Sequence, residues 1–454
     1  MSYIVGHPIK HPRDFYGRLE QKKRFFEIIS GPQSQSITIL GARRSGKTSF
    51  LRHVAHPAVM AAHLKEPENY IMVYIDVSAC RTPSEFYQRT IVKLSKLLPD
   101  IQEINLWKAP EHNQYTMFHL ETILCQFPNK RIILLLDEFD KIRTNTFDQD
   151  FLTELRALAS VWEYELACIT ASFVDLYQLG ADVGLPPTSP FYNIFYPTPI
   201  YMHGVSTATL TQIILTPSER LGVKLPQADV SEIINFAGTL PFFTQAIASA
   251  WVHEYHGKSI SAKERFKHLV ANLSSYFEQW WQQFSELERG ILTAVSKNQP
   301  LKSLEQPKNV LSQTVHWLKS FAFLLEDEGQ LFVNGEIFRY WLQHRSEENG
   351  RFQRASNGHK NSGQTHSLEF FQNGAEKIEI LPIYQKIITY FKIQDIQLIC
   401  FELGIDEECL TYSNKQELIR ELILLLNRED RLNELIKSCQ NMRPNLPWGA
   451  KELR

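Results

Sequence analysis

The chain lacks any apolar run of membrane-spanning length, and its first residues, Met1 to Ile4, lack the charged-then-apolar pattern of a secretory signal. Its formal net charge of −2 also leaves it without the basic excess typical of proteins that bind nucleic acids or acidic membranes. These absences argue against a membrane, secreted or nucleic-acid-binding protein. We therefore expect a cytoplasmic protein.

Cysteine is scarce as well. The six cysteines are scattered without a C-x-x-C pair, so neither a disulfide framework nor a zinc site is indicated, and we expect buried, reduced thiols. With 454 residues, of which 43% are hydrophobic and 22% charged, the chain is long enough for several domains.

One short segment carries a specific chemical signal. Residues Gly41 to Thr48 fit the phosphate-binding pattern G-x-x-x-x-G-K-S/T. The preceding Ser36–Leu40 predicts a short buried strand, and the following Ser49–Val54 has the apolar spacing of a helix. A loop in this position presents backbone N–H groups at the start of a helix to an anion.

Each position of the loop has a predicted task. Gly41 and Gly46 allow the backbone to curl around the β-phosphate of ATP, which a Cβ would obstruct. Lys47 is expected to reach the β- and γ-phosphates, and the Thr48 hydroxyl to bind Mg²⁺. The other residues expected to contact the nucleotide are Arg43, Arg44, Ser45 and Ser49.

A second motif supports the first. Residues Arg131 to Asp140 form an unbroken apolar run that ends in acidic residues, as expected for a strand buried on both faces of a parallel sheet. Asp137 is expected to hold Mg²⁺, and Glu138 to polarise the attacking water. The alternative is a buried strand whose end simply meets solvent at these two acids.

The first part of the chain alternates between helical and strand patterns, which predicts an α/β fold with a parallel sheet covered by helices. Further strands are predicted at Tyr70–Val77, Leu166–Ser172 and Pro199–Met202. An extra strand between the two phosphate motifs, with Glu138 beside Asp137, is typical of the additional-strand, catalytic-glutamate class of P-loop NTPases. Thr170 or Ser172 is a candidate contact for the γ-phosphate.

The rest of the chain divides by composition. A helical lid is expected after residue 206, in which Gly238 ends one helix and Pro241 starts the next. A winged helix follows, then a linker rich in polar residues, then four or five short helices. The predicted domains are 1–205 for the ATPase core, 206–275 for the lid, 276–345 for the winged helix, 346–378 for the linker and 379–454 for the helical module.

The two phosphate motifs, the Gly238-x-x-Pro241 turn and the winged helix together resemble the STAND branch of AAA-like signalling ATPases, a bacterial signalling and conflict family. The opening residues Asp14 to Arg18, with Glu20, look like the motif that packs beside the adenine in that family, so Gly17 and Arg18 are implied to contact the nucleotide. Pro241 is implied to lie against it. Relatives often carry an arginine after the strand at 166–172, and this chain has none there. Candidate substitutes are Arg43, Arg44 and Arg156, and hydrolysis is expected to be slow or assembly-dependent.

The C-terminal helices resemble an effector-associated domain of the kind numbered seven, a death-like adaptor. The resemblance rests on Leu398–Asp406, Asn414–Ile419 and Arg443–Trp448. It implies a partner: an effector protein that carries a similar helical domain. It also implies a nucleotide-dependent homo-oligomer.

The expected function is thus an ATP-dependent switch, with Mg²⁺, that recruits an effector in signalling or bacterial defence. One rival is a DNA-directed ATPase of the origin-recognition kind. However, basic and acidic residues are equal in number between Ser285 and Arg345, which argues against a DNA-reading winged helix. A second rival is a non-enzymatic adaptor with a structural ATP site.

Overall fold

A computed structural model describes residues 3–98, 114–144, 146–258, 260–304, 306–345 and 431–443, together with parts of 387–426. The chain forms two compact units, Met1–Arg354 and Ala355–Arg454. In the described part of the chain, no helix combines the length and the apolar character needed to cross a membrane.

The first unit is built on a five-stranded parallel sheet. Its strands are β1 Ile37–Leu40, β2 Tyr70–Asp76, β3 Arg131–Asp137, β4 Leu166–Ser172 and β5 Ile200–Tyr201. The order across the sheet is β2-β3-β4-β1-β5, so β4 separates the strand before the phosphate loop from the strand that ends at Asp137. This arrangement confirms the predicted additional-strand class.

Helices cover both faces of the sheet, because the central strands are apolar on both sides. One face packs against α1 Leu19–Ile29, α2 Lys47–Val54 and α3 Pro57–His63. The other packs against α4 Pro83–Leu97, α5 Met117–Leu124, α6 Gln149–Ser160 and α7 Leu176–Asp182. Two separate apolar layers therefore enclose the sheet, and its carboxyl edge carries the loop at 41–48.

The predicted lid is helical throughout its described part. Its helices are α8 Thr207–Arg220, α9 Gln227–Ala237, α10 Pro241–Ala250 and α11 Ala262–Gln283, with a π-helical turn at Trp251–Tyr255. Helix α11 continues past the predicted boundary between residues 275 and 276. Gly238 ends α9 with a positive φ of 69°, and Pro241 is the first residue of α10. Both residues occupy the positions that their chemistry predicts.

The winged helix follows in the same unit. It contains α12 Glu286–Ser296, α13 Lys308–Ser320, β6 Leu324–Asp327 and β7 Gln330–Val333, and residues 336–345 are helical. Glu328 and Gly329, which link β6 and β7, have φ angles of 46° and 79°. Two central residues with positive φ are typical of a tight hairpin turn.

The second unit has its own apolar core, which includes Ile396, Ile399, Leu435 and Cys439. Its fully described helices are Ile393–Glu402 and Leu432–Met442. The predicted linker and large parts of the predicted helical module at 379–454 lie outside the described residues. Among the described cysteines, Cys125 is exposed, so the prediction of buried thiols is wrong at that position.

Candidate functional site

The loop from Gly41 to Thr48 leaves the end of β1 and opens α2, as predicted. A Cβ added to Gly41 would lie 2.5 Å from the Ser45 hydroxyl, and Gly46 adopts φ 96°. Only glycine fits both positions without strain. The Lys47 ammonium donates to the carbonyl oxygens of Gly41 (2.8 Å) and Ala42 (3.1 Å), so the lysine side chain folds back over the loop that precedes it.

Lys47 is buried, and it shares its surroundings with three carboxylates. Burial lowers the pKa of Lys47, and the negative charges of Glu138, Asp140 and Asp137 oppose that effect. The end of β3 lies beside the phosphate loop, because α2 packs on the face of β3 that carries Asp137. The residues of both sequence motifs therefore form one site.

Asp137 is buried and held through both of its carboxylate oxygens. The Tyr74 hydroxyl donates to Oδ2 (2.7 Å), and the backbone N–H of Glu138 donates to Oδ1 (3.1 Å). The contact with Tyr74 was not predicted, because it depends on the register of β2 against β3. Tyr74 pairs opposite Leu135, and Asp137 follows two residues later on the same face of the sheet.

Glu138 combines an unusual backbone conformation with a raised pKa. Its backbone adopts the left-handed conformation (φ 51°), which is unusual for a residue with a side chain. Burial raises the pKa of Glu138, Lys47 lowers it, and Asp140 and Asp137 raise it further. Asp140, for which the sequence predicted no role, accepts a hydrogen bond from the Phe173 backbone N–H (3.3 Å) and so links the end of β3 to the segment after β4.

The opening motif contacts the loop backbone. The Arg18 guanidinium is buried and donates through Nη2 to the carbonyl oxygen of Ser45 (3.1 Å), while its Nη1 has no hydrogen-bond partner in the described structure. Burial lowers the pKa of Arg18 to about 10. Gly17 approaches Thr209 of α8 so closely that a Cβ would lie 2.7 Å from its methyl carbon. The motif thus joins the phosphate loop to the lid.

Other predicted contacts have different surroundings. Ser49 uses its hydroxyl oxygen to accept from the Ile9 backbone N–H (3.2 Å), and the Ser172 hydroxyl donates to the Val174 carbonyl (2.7 Å). Thr170 Oγ1 is buried without a partner in the described structure. Thr170 and Ser172 alternate along β4 with Ile169 and Ala171, which pack on the face that carries α2. Both hydroxyls therefore lie on the other face of the sheet, away from Asp137.

The lid meets the loop through two arginines. The carbonyl oxygen of Arg43 accepts from Trp280 Nε1 (3.2 Å), and the Arg44 guanidinium lies 5.0 Å from the ring centre of Phe242, which follows Pro241. The charge of Arg43 acts on both Lys47 and Glu138. Arg156 lies on α6, on the face of the sheet opposite α2. Trp280 was not predicted, and its distance from the loop in sequence left no local signal.

The residues present fit a nucleotide with Mg²⁺. The glycine positions leave a backbone cradle at the start of α2, and two buried donors near it, Ser45 Oγ and Arg18 Nη1, have no partner in the described structure. No group of three or more His, Cys, Asp or Glu side chains in the described residues could hold a metal alone. Mg²⁺ is commonly held by one or two protein oxygens together with substrate phosphates, and Thr48 and Asp137 supply that number.

Comparison with known proteins decides the family. Residues 27–301, more than half of the chain, match the model of the family Novel STAND NTPase 2, and residues 383–444 match Effector-associated domain 7. The chain belongs to the novel STAND NTPase 2 family. The STAND protein carries an effector-associated domain at its C-terminal side, which confirms both predicted resemblances. No curated protein matches the sequence.

The chain also resembles solved structures. The Walker-type ATPase PABY2304 of Pyrococcus abyssi superposes with a TM-score of 0.54 at 14% identity, over 74% of this chain and 99% of that one. The ORC2 protein of Aeropyrum pernix, in its complexes with ADPNP and ADP, gives a TM-score of 0.45 at 13% identity, over 78% of this chain and 97% of that one. The first of these similarities shows that this STAND protein shares the P-loop ATPase fold.

Proposed function

We propose that this protein is an ATP-binding and ATP-hydrolysing switch, which uses its C-terminal domain to recruit an effector protein. The observation that carries the proposal is the packing of α2, which begins at Lys47, on the face of β3 that carries Asp137, directly before Glu138. A cation, a cradle of N–H groups and acidic side chains in one site match the chemistry of phosphoryl transfer to water.

The residues divide the work by their chemistry. Lys47 balances phosphate charge, and Thr48 and Asp137 provide oxygens for Mg²⁺, which when bound neutralises the charge that develops on the phosphates. Glu138 accepts a proton from the attacking water, and its raised pKa brings it closer to the operating pH of a general base. Gly17 and Pro241 border the nucleotide from the opening motif and the lid.

The proposed partner is an effector with a similar helical domain, and the STAND region forms a nucleotide-dependent homo-oligomer. The match of residues 383–444 to Effector-associated domain 7 supports this partner. The balanced charge of the winged helix argues against nucleic acid as a partner. A ligand shifts such a switch only if it binds its two states with different affinities.

Two substitutions test the enzyme proposal together. Lys47→Ala should lose tight ATP binding by calorimetry, because it removes the buried ammonium at the phosphate loop, whereas Lys65→Ala, at an exposed lysine, should bind normally. Glu138→Gln should bind ATP and lose single-turnover hydrolysis. In the wild type the hydrolysis rate should rise with pH as Glu138 loses its proton, since the base acts when deprotonated. Wild-type affinity in Lys47→Ala, or wild-type turnover in Glu138→Gln, contradicts the proposal.

A further inference from the structure

The carbonyl groups of the phosphate loop are held from outside the loop at two points. Trp280 Nε1 donates to the carbonyl oxygen of Arg43, and Arg18 Nη2 donates to that of Ser45. Both donors are buried, with 2% of Trp280 and 6% of Arg18 exposed. They reach the loop from different parts of the chain, since Arg18 precedes α1 and Trp280 belongs to α11.

A held carbonyl also fixes the next N–H group. The peptide bond is planar and trans, so its C=O and N–H point in opposite directions. No cis peptide occurs in the described part of the chain. When the carbonyl of Arg43 points to Trp280, the N–H of Arg44 points away from it. The same relation links the carbonyl of Ser45, held by Arg18, to the N–H of Gly46.

We propose that Trp280 and Arg18 are positioning residues of the phosphate loop, which turn the N–H groups of Arg44 and Gly46 toward a nucleotide phosphate. Through Trp280, phosphate binding is coupled to helix α11. This inference rests on the proposed nucleotide binding and adds to it the residues that preorganise the loop. Successive N–H groups directed at one point form an anion-binding nest.

The indole is well placed to carry this coupling. Trp280 packs between the lid and the winged helix, with ring centres 5.0 Å from Phe243, 4.9 Å from Phe323 and 5.3 Å from Phe338. One helical turn earlier on α11, Tyr276 lies 5.3 Å from the Arg44 guanidinium. The same face of α11 therefore contacts two successive loop residues. Because binding free energies are linked, a phosphate that orders the loop must also stabilise this face of α11.

The test compares two neighbouring tryptophans in the full-length protein. Trp280→Phe keeps an aromatic ring and removes the N–H donor, whereas Trp281→Phe makes the same change at a residue that packs on Trp341. ADP and adenosine are titrated into each variant by calorimetry. We expect Trp280→Phe to weaken ADP affinity about tenfold, because the lost hydrogen bond to the Arg43 carbonyl has a net free energy of that size, and to leave adenosine affinity unchanged. Trp281→Phe should match the wild type for both ligands.

A second measurement separates positioning from simple packing. ADP should slow amide hydrogen exchange in α11 of the wild type and of Trp281→Phe, and should fail to do so in Trp280→Phe. A tryptophan with only a packing role would lower thermal stability and leave both ADP affinity and the ADP-dependent protection intact, which would overturn the inference.

The arginine provides an independent variant if Trp280→Phe does not fold. Arg18→Gln should also weaken ADP about tenfold, with Lys23→Gln, at an exposed position on α1, as its control. If neither Arg18→Gln nor a folded Trp280→Phe changes ADP affinity, the inference is wrong while nucleotide binding stands. If the wild type binds no nucleotide, both proposals fail.

Discussion

Three residues with side chains adopt left-handed backbone conformations around the phosphate loop: Arg18 (φ 58°), Arg44 (φ 68°) and Glu138 (φ 51°). Each such residue costs on the order of 1 kcal/mol, so each conformation must be held by other contacts. Arg18 binds the Ser45 carbonyl, Arg44 lies over Phe242, and the Glu138 N–H donates to Asp137. Strain is thus concentrated at the residues that the proposed chemistry requires in fixed positions.

His53 makes the stability of this region depend on pH. Its ring is buried on α2 and stacks on Phe15 with centres 4.1 Å apart. Burial, aided by the positive charges of Lys22, His56 and His63, lowers the pKa of His53 from 6.5 to about 4. The folded state therefore holds the neutral ring, while the unfolded chain takes up a proton below pH 6.5. Stability is full above that pH and falls as the pH drops toward 4.

We expect His53 to account for a loss of about 3 kcal/mol between pH 6.5 and 4, which follows from the size of the pKa change. Thermal unfolding measured across this range should show a flatter dependence on pH in His53→Gln than in the wild type. His63→Gln is the matched control, since His63 also stacks on a phenylalanine but is exposed. An unchanged slope in His53→Gln would contradict the assignment.

At the scale of elements, the turn between α9 and α10 is joined to the end of the β6–β7 hairpin by one buried side chain. Asn334 Oδ1 accepts from the Thr239 N–H (2.9 Å), and its Nδ2 donates to Thr239 Oγ1 (2.9 Å) and to the Ala322 carbonyl (2.7 Å). A Cβ at Gly238 would collide with the Asn334 side chain, so the close approach requires glycine there. Lid and winged helix are therefore fixed to each other at the turn that ends in Pro241.

Asn334→Ala should destabilise the first unit by about 2 to 3 kcal/mol, because it leaves the Thr239 N–H and the Ala322 carbonyl buried without partners. The measurement is the unfolding midpoint in urea, with Asn309→Ala at an exposed position of α13 as the control. Equal midpoints in the two variants would show that the amide does not join the elements.

At the scale of the whole molecule, the sequence predicted the strands that contiguous apolar runs determine, but not the contacts between residues distant in sequence. The strand before Gly41 and the strand ending at Asp137 lie where expected, because an apolar run and its terminating residues are contiguous in sequence. The contacts of Trp280 with Arg43 and of Asn334 with Thr239 could not be predicted, since each joins residues about a hundred or more positions apart. The family resemblance assigned Arg18 to the nucleotide, but its hydrogen bond to the Ser45 carbonyl could not be predicted from the sequence.

The chain divides into two compact units, and the second unit has an apolar core of its own. Polar contacts within that unit add to the core: Arg443 pairs with Asp395 (2.8 Å), Arg431 Nη2 donates to the Leu403 carbonyl (2.8 Å), and the Ser438 hydroxyl donates to Glu402 (3.0 Å). These contacts tie together segments distant in sequence, as expected of an adaptor that folds alone.

We predict that residues 376–454 fold in isolation, and that a chain lacking them keeps its ATP affinity and its thermal unfolding temperature. The alternative is a helical cap packed permanently on the ATPase, whose removal would expose apolar surface and cause aggregation. Circular dichroism and thermal unfolding of the isolated segment test the first part, and calorimetry with light scattering of the truncated chain tests the second. Because Glu379 to Trp448 carries many acidic and basic residues, we expect charge pairing at the rim of the interface, so binding of the folded segment to the effector should weaken as salt is raised. An isolated segment that stays unfolded, or a truncated chain that aggregates, refutes the adaptor interpretation and leaves the proposed ATPase site to stand on its own test.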